Sequence, residues 1–270
     1  MRALRNIHRL DAGSFLTATS LLLVAAFAWV ILIGTSGADM NGAGGSGSAR
    51  NAANFIALWG VMMAAMMLPS ALPMILLYRT VSIRLRAPQN RAIPTWLFAG
   101  TYLGVWLLVG APVYAASVAV SALATRSAGF HAAIPYAIAA VLAGAGVYQL
   151  SALKHECLRN CKSPLEFVME RWRSGYAATI RLALTHALYC LGCCAALMII
   201  LVAAGAMSIS WVLVITAIVF AEKVLPYGER TARAFGVALV VLGIAVAMRP
   251  DLARVIQHAP GSMAPGMTMH

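Results

Sequence analysis

The chain has 270 residues, of which 61% are apolar and only 10% charged, yet its formal net charge is +12. A mean hydropathy of +0.83 excludes an ordinary water-soluble globular domain. Membrane topology and attraction to an anionic inner leaflet account for the surplus of Lys and Arg, so no nucleic-acid partner is expected.

Seven apolar stretches are predicted to cross a bilayer, at about residues 14–33, 55–78, 95–122, 133–153, 179–204, 211–225 and 234–248. Lipid offers the backbone no hydrogen bonds, and the sequence lacks the alternation of a membrane barrel. The expected class is therefore all-α, a polytopic transmembrane helix bundle forming a single domain over residues 1–270. Cytoplasmic loops collect positive charge. With a cytoplasmic N-terminus only Arg50, Arg126, Arg249 and Arg254 fall outside, which leaves sixteen of the 20 Lys and Arg inside. Seven spans then place the C-terminus outside, and the expected location is the bacterial cytoplasmic (inner) membrane.

Arg2, Arg5 and Arg9 precede the first span, which is too long for a secretory signal and shows no small-residue cleavage site; it reads as a retained anchor. Residues 34–51, rich in Gly, Ser and Ala, read as a flexible outer loop. The second span carries two Met pairs four residues apart. Met62 and Met66 share one helix face, Met63 and Met67 the adjacent one, so thioethers form a stripe about two turns long. Pro69 and Pro73 follow and predict a kink or local unwinding unless neighbouring groups re-satisfy the freed carbonyls. Thioethers are soft ligands that select Cu(I), although Met also fills irregular gaps in helical cores.

Beyond the fourth span lies a cytoplasmic segment, residues 154–176. Cys157 and Cys161 stand at i and i+4, on one face of an expected helical extension of that span, where thiols stay reduced and a metal or redox role is open to them. Ser163, Pro164 and Glu166 then mark a helix start with a capping box. Leu165, Val168, Met169 and Trp172 recur at helical spacing, which predicts a short amphipathic helix on the inner surface.

The fifth span holds the most informative pattern. His186, Cys190, Cys193 and Cys194 fall within roughly a third of a helical turn, so one face presents an imidazole and three thiols. Free Cys is often only a small buried hydrophobe and a lone His a bridge between helices. Four such groups on one face of a membrane helix are costly without a function, which favours metal or thiol chemistry. The second span descends as the fifth ascends, so the Met stripe and the thiols are expected at similar depth, near the middle or inner half, with the option of converging. Such a pocket favours copper as Cu(I), with zinc as the alternative.

Near the inner end of the sixth span, Glu222 and Lys223 point about 100° apart and are expected to serve different partners. Glu222 suits a basic partner such as Lys154 or a role as a carboxylate at the inner mouth of a pathway; snorkelling explains Lys223. The tail, residues 250–270, reads as a flexible outer arm whose His258, Met263, Met267, Met269 and His270 could catch copper.

These motifs together resemble the bacterial predicted metal-binding integral membrane proteins, a domain-of-unknown-function family. The resemblance rests on the Met62 to Met74 block, the run from Tyr148 and Gln149 through Lys154, Cys157 and Cys161 to Pro164, the His186 to Cys194 pattern with Leu197 and Met198, and the Glu222 and Lys223 pair. It implies metal handling without a defined reaction. Three classes of function follow: copper storage, delivery or transport, with a metal-donor or acceptor protein as partner; a membrane thiol-disulfide oxidoreductase using Cys190 and Cys193 with Cys157 and Cys161; and a non-catalytic assembly subunit. No hydrolase triad, phosphate loop or nucleotide motif is present, so soluble-enzyme chemistry is not expected.

Overall fold

The computed structural model describes residues 12–35, 49–85, 93–126, 128–203 and 209–252. The arginines of the N-terminal segment, residues 36–48 of the expected outer loop and the Met/His tail from 253 onward lie outside the described residues. Among those described there are nine helices and no strand: α1 Ala12–Thr35, α2 Ala49–Leu85, α3 Ile93–Arg126, α4 Ala128–Leu150, α5 Ala152–Lys162, α6 Pro164–Arg171, α7 Tyr176–Ala203, α8 Ile209–Val224 and α9 Gly228–Met248. Six of them, α1 to α4, α7 and α9, are long and apolar enough to cross a membrane. Large apolar side chains such as Phe15, Phe27, Leu108, Leu188 and Met248 point outward. Exposed apolar surface on this scale needs lipid to cover it, as in a multi-pass membrane protein. The predicted sixth span differs: α8 has 16 residues, a rise of about 24 Å that falls short of the hydrocarbon thickness.

Small residues set the helix pairings. α1 buries Ser14, Thr17, Leu21, Ala25, Ala28 and Leu32, one stripe at helical spacing that packs on α2. α4 and α9 run antiparallel at close range: a Cβ on Gly146 would come within 2.6 Å of the Gly236 carbonyl, and one on Gly243 within 2.7 Å of the Ala143 nitrogen. Aromatic contacts register the rest. Trp59 Nε1 donates to the Trp106 carbonyl at 2.9 Å, and Tyr78 stacks on Phe98 with centroids 4.8 Å apart, so α2 and α3 are antiparallel. α3 also packs along α7, where Phe98 and Tyr102 meet His186.

Two local expectations are corrected. α2 continues as helix through Pro69 and Pro73 for 37 residues without unwinding, and Ser70 Oγ donates to the Met67 carbonyl at 3.0 Å beside the first proline. Cys157 and Cys161 do not extend the fourth span. Ser151 interrupts it in an extended conformation (φ −71°, ψ 150°) and its hydroxyl accepts from the Lys154 amide, starting α5 as a separate helix. α6 follows at Pro164, but its Ser163 makes no side-chain cap, and it buries Phe167 and Val168 while Leu165 and Met169 face outward.

The α4/α9 contact yields a test by thermal unfolding in detergent. Gly243→Val places a branched side chain against the α4 backbone and lowers the midpoint by several degrees, whereas Gly104→Ala, with nothing within 4 Å of its Cβ position, leaves it unchanged.

Candidate metal centre

Six helices contribute to the site, and the reason they converge lies in a few polar groups that the apolar bundle must satisfy. Cys190 sits about halfway along α7, level with the C-terminal ends of α4 and α8, and α5 lies across this junction. Lys154 of α5 is fully buried, and burying an unpaired ammonium is prohibitive. Its Nζ donates to Glu222 Oε2 of α8 at 2.7 Å and to the Cys193 carbonyl of α7. Gln149 Nε2 of α4 donates to the other Glu222 oxygen at 2.9 Å. Tyr148 adds a bond from its hydroxyl to the Gly192 carbonyl at 2.7 Å. The Glu222 to Lys154 pairing foreseen in the sequence is present, and it fixes the backbone on which the thiols stand.

Cys190, Cys193 and Cys194 are all buried, and their sulfurs lie within 4.8 Å of one another. Cys193 is 3.6 Å from Cys194 and 3.8 Å from Cys161 of α5, so a fourth thiol joins from a different helix. Sulfurs sharing one ion at metal distances of about 2.3 Å stand about 4 Å apart, which is the spacing found here. Two groups reach Cys190 that sequence reasoning did not assign to it. Lys223 Nζ donates to its sulfur at 2.9 Å and to Ser70 Oγ at 3.5 Å, and the Tyr102 hydroxyl is 2.9 Å from the same sulfur. Lys223 therefore turns inward and does not snorkel to the surface. An ammonium at this distance offsets the negative charge that metal-bound sulfurs carry.

The remaining candidates are placed around this centre. His186 is buried among Tyr102, Phe98 and Phe167, with ring centroids 5.6, 6.1 and 5.7 Å away, and its Nδ1 has no hydrogen-bond partner. It lies outside the group of three mutually close thiols. Cys157 also stands apart, its Sγ against Gly192, and burial with Glu156 nearby pushes its thiol pKa up. Met62, Met63, Met66 and Met67 are fully buried in the core on α2. They do not line the cavity beside the thiols; that wall of α2 is formed by Ser70, Ala71, Pro73 and Met74. Tyr102 was missed because an isolated Tyr in an apolar span carries no spacing signal; Met74, the end of the Met62 to Met74 block, was not counted among the ligands because it stands apart from the two Met pairs.

A multi-pass helical bundle with a buried multi-thiol cluster defines a membrane protein able to hold a soft metal ion. A family model described as PpoB2, copper chaperone, matches residues 56–246, and the chain belongs to that family. The matched region contains every cysteine of the chain. No curated protein and no solved structure matches.

The polar network beneath the thiols has a measurable consequence. Glu222→Ala leaves the Lys154 ammonium buried and unpaired and costs about 3–5 kcal/mol, whereas the paired change Lys154→Met with Glu222→Leu recovers most of the loss. Thermal or denaturant unfolding of the two variants beside the wild type checks this.

Proposed function

We propose that this protein is a membrane copper chaperone that holds Cu(I) on the thiolates of Cys190, Cys193 and Cys194, with Cys161 alongside, and passes it to an acceptor protein. The observation that carries the reading is the buried set of three sulfurs within 4.8 Å of one another, in a chain of a copper chaperone family. Thiolates are soft donors suited to Cu(I). Three thiolates around one monovalent ion leave negative charge in an apolar interior, and Lys223 supplies a compensating ammonium 2.9 Å from Cys190.

The same reading orients the chain with its N-terminus cytoplasmic, so that α5 and α6 form the inner cap of the site and α8 serves as a short seventh crossing. It draws support from the sixteen inner Lys and Arg. The Met62, Met63, Met66 and Met67 stripe ends one turn before Ser70, which bonds Lys223, and so offers neutral soft side chains leading outward from the centre.

Anaerobic titration of the detergent-purified protein with Cu(I), in competition with a chromophoric chelator, is expected to show tight binding that falls at least a hundredfold in Cys190→Ser and Cys193→Ser and stays unchanged in Cys157→Ser. Because metal displaces thiol protons, apparent affinity rises with pH, about tenfold per unit for each proton released. Tight zinc binding without copper binding would replace the ion in this reading. A metal-free protein cycling between Cys190–Cys193 dithiol and disulfide would establish the oxidoreductase instead.

A further inference from the structure

Beside the thiol cluster lies a cavity of about 180 Å³, bounded by the middle of α2, the junction of α5 with α6, His186 of α7 and the C-terminal end of α8. Three ligand-type side chains from three helices line it: Met74, Cys161 and His186. None of the three belongs to the group of mutually close thiols on α7, yet Cys161 reaches that group, 3.8 Å from Cys193. His186 is only 3% exposed and its Nδ1 has no partner. A buried ring nitrogen left unpaired is costly, and a residue so placed on a cavity wall is accounted for by a ligand that completes it. The ring cannot simply swing away, because Tyr102, Phe98 and Phe167 hold it on three sides.

We infer that this cavity is a second soft-metal site, a transfer position formed by Met74, Cys161 and His186, from which Cu(I) moves to the cysteine cluster through Cys161. The inference rests on the copper reading above. Thioether, thiolate and imidazole together suit Cu(I), and one thiolate balances its single charge. The two lysines on the same wall are already engaged: Lys162 donates to the Leu225 carbonyl at 2.8 Å and Lys223 to Cys190. They therefore oppose a neutral copper-thiolate unit less than they would a bare divalent ion. In the transfer, the bonds from copper to His186 and Met74 break as bonds to Cys190 and Cys193 form, and the bond to Cys161 then gives way to one to Cys194, so that Cys161 is free for the next ion. Copper remains Cu(I), and the protons of the incoming thiols leave to solvent through the cavity.

Anaerobic Cu(I) titration of the full chain is expected to find two ions, with X-ray absorption at the second equivalent showing a nitrogen ligand. His186→Gln removes the nitrogen signal and one ion, and slows loading of the cluster at least tenfold. Met74→Leu, a near-isosteric change that keeps the fold, also loses one ion. A wild type that binds one ion on sulfur alone, lost in Cys190→Ser, overturns the transfer site and leaves the copper reading standing. Two ions that both survive Cys190→Ser with Cys193→Ser, one of them lost in His186→Gln, uphold the cavity site and overturn the cluster. No copper in the wild type overturns both.

Discussion

A single buried lysine organises the inner end of this bundle. Lys154, without solvent exposure, joins the carboxylate of Glu222 on α8 to a backbone carbonyl on α7, and Gln149 on α4 completes the carboxylate's shell. In an apolar interior neither charge is tolerated alone, so the position of α5 relative to α7 and α8 is fixed by the demand that this pair be made. The carbonyl it grips belongs to Cys193. Structural pairing and the geometry of the thiol cluster are therefore set by the same contact, and any change that loosens the pair also moves a thiol.

From that constraint the rest of the site follows. Turning at Ser151 brings α5 back across the bundle, which delivers Cys161 to within 3.8 Å of Cys193. Holding Glu222 inward turns the next residue, Lys223, toward Cys190 on the neighbouring helix face. Tyr102 arrives from α3 because α3 packs along α7 in register, with Phe98 and Tyr102 over His186. A thiol cluster, a compensating cation and an adjoining cavity thus arise where α2, α3, α4, α7 and α8 meet the short α5.

Much of this was legible in the sequence, for reasons that are local. Hydropathy over 18 or more residues gives the six long helices directly, though not the shorter α8, and the 100° periodicity places His186, Cys190, Cys193 and Cys194 on one buried face of α7. The partnership of Glu222 with Lys154 was also within reach, since buried opposite charges in an apolar bundle have few other partners. What depends on packing was not. The continuity of α2 through Pro69 and Pro73 is decided by neighbouring helices and not by proline alone. The break at Ser151, the inward turn of Lys223 and the lateral approach of Tyr102 each require knowing which helices touch. So does the separation of His186 from the thiols, and of the Met62 to Met67 stripe from the cavity that Met74 lines.

The central claim is that the sulfurs of α7 hold Cu(I), and copper K-edge absorption of the anaerobically loaded protein at one equivalent tests it most directly. A shell of three sulfur scatterers at about 2.3 Å is expected. A first shell dominated by nitrogen or oxygen, or a protein that takes up no copper while Cys190 and Cys193 join as a disulfide, would contradict it.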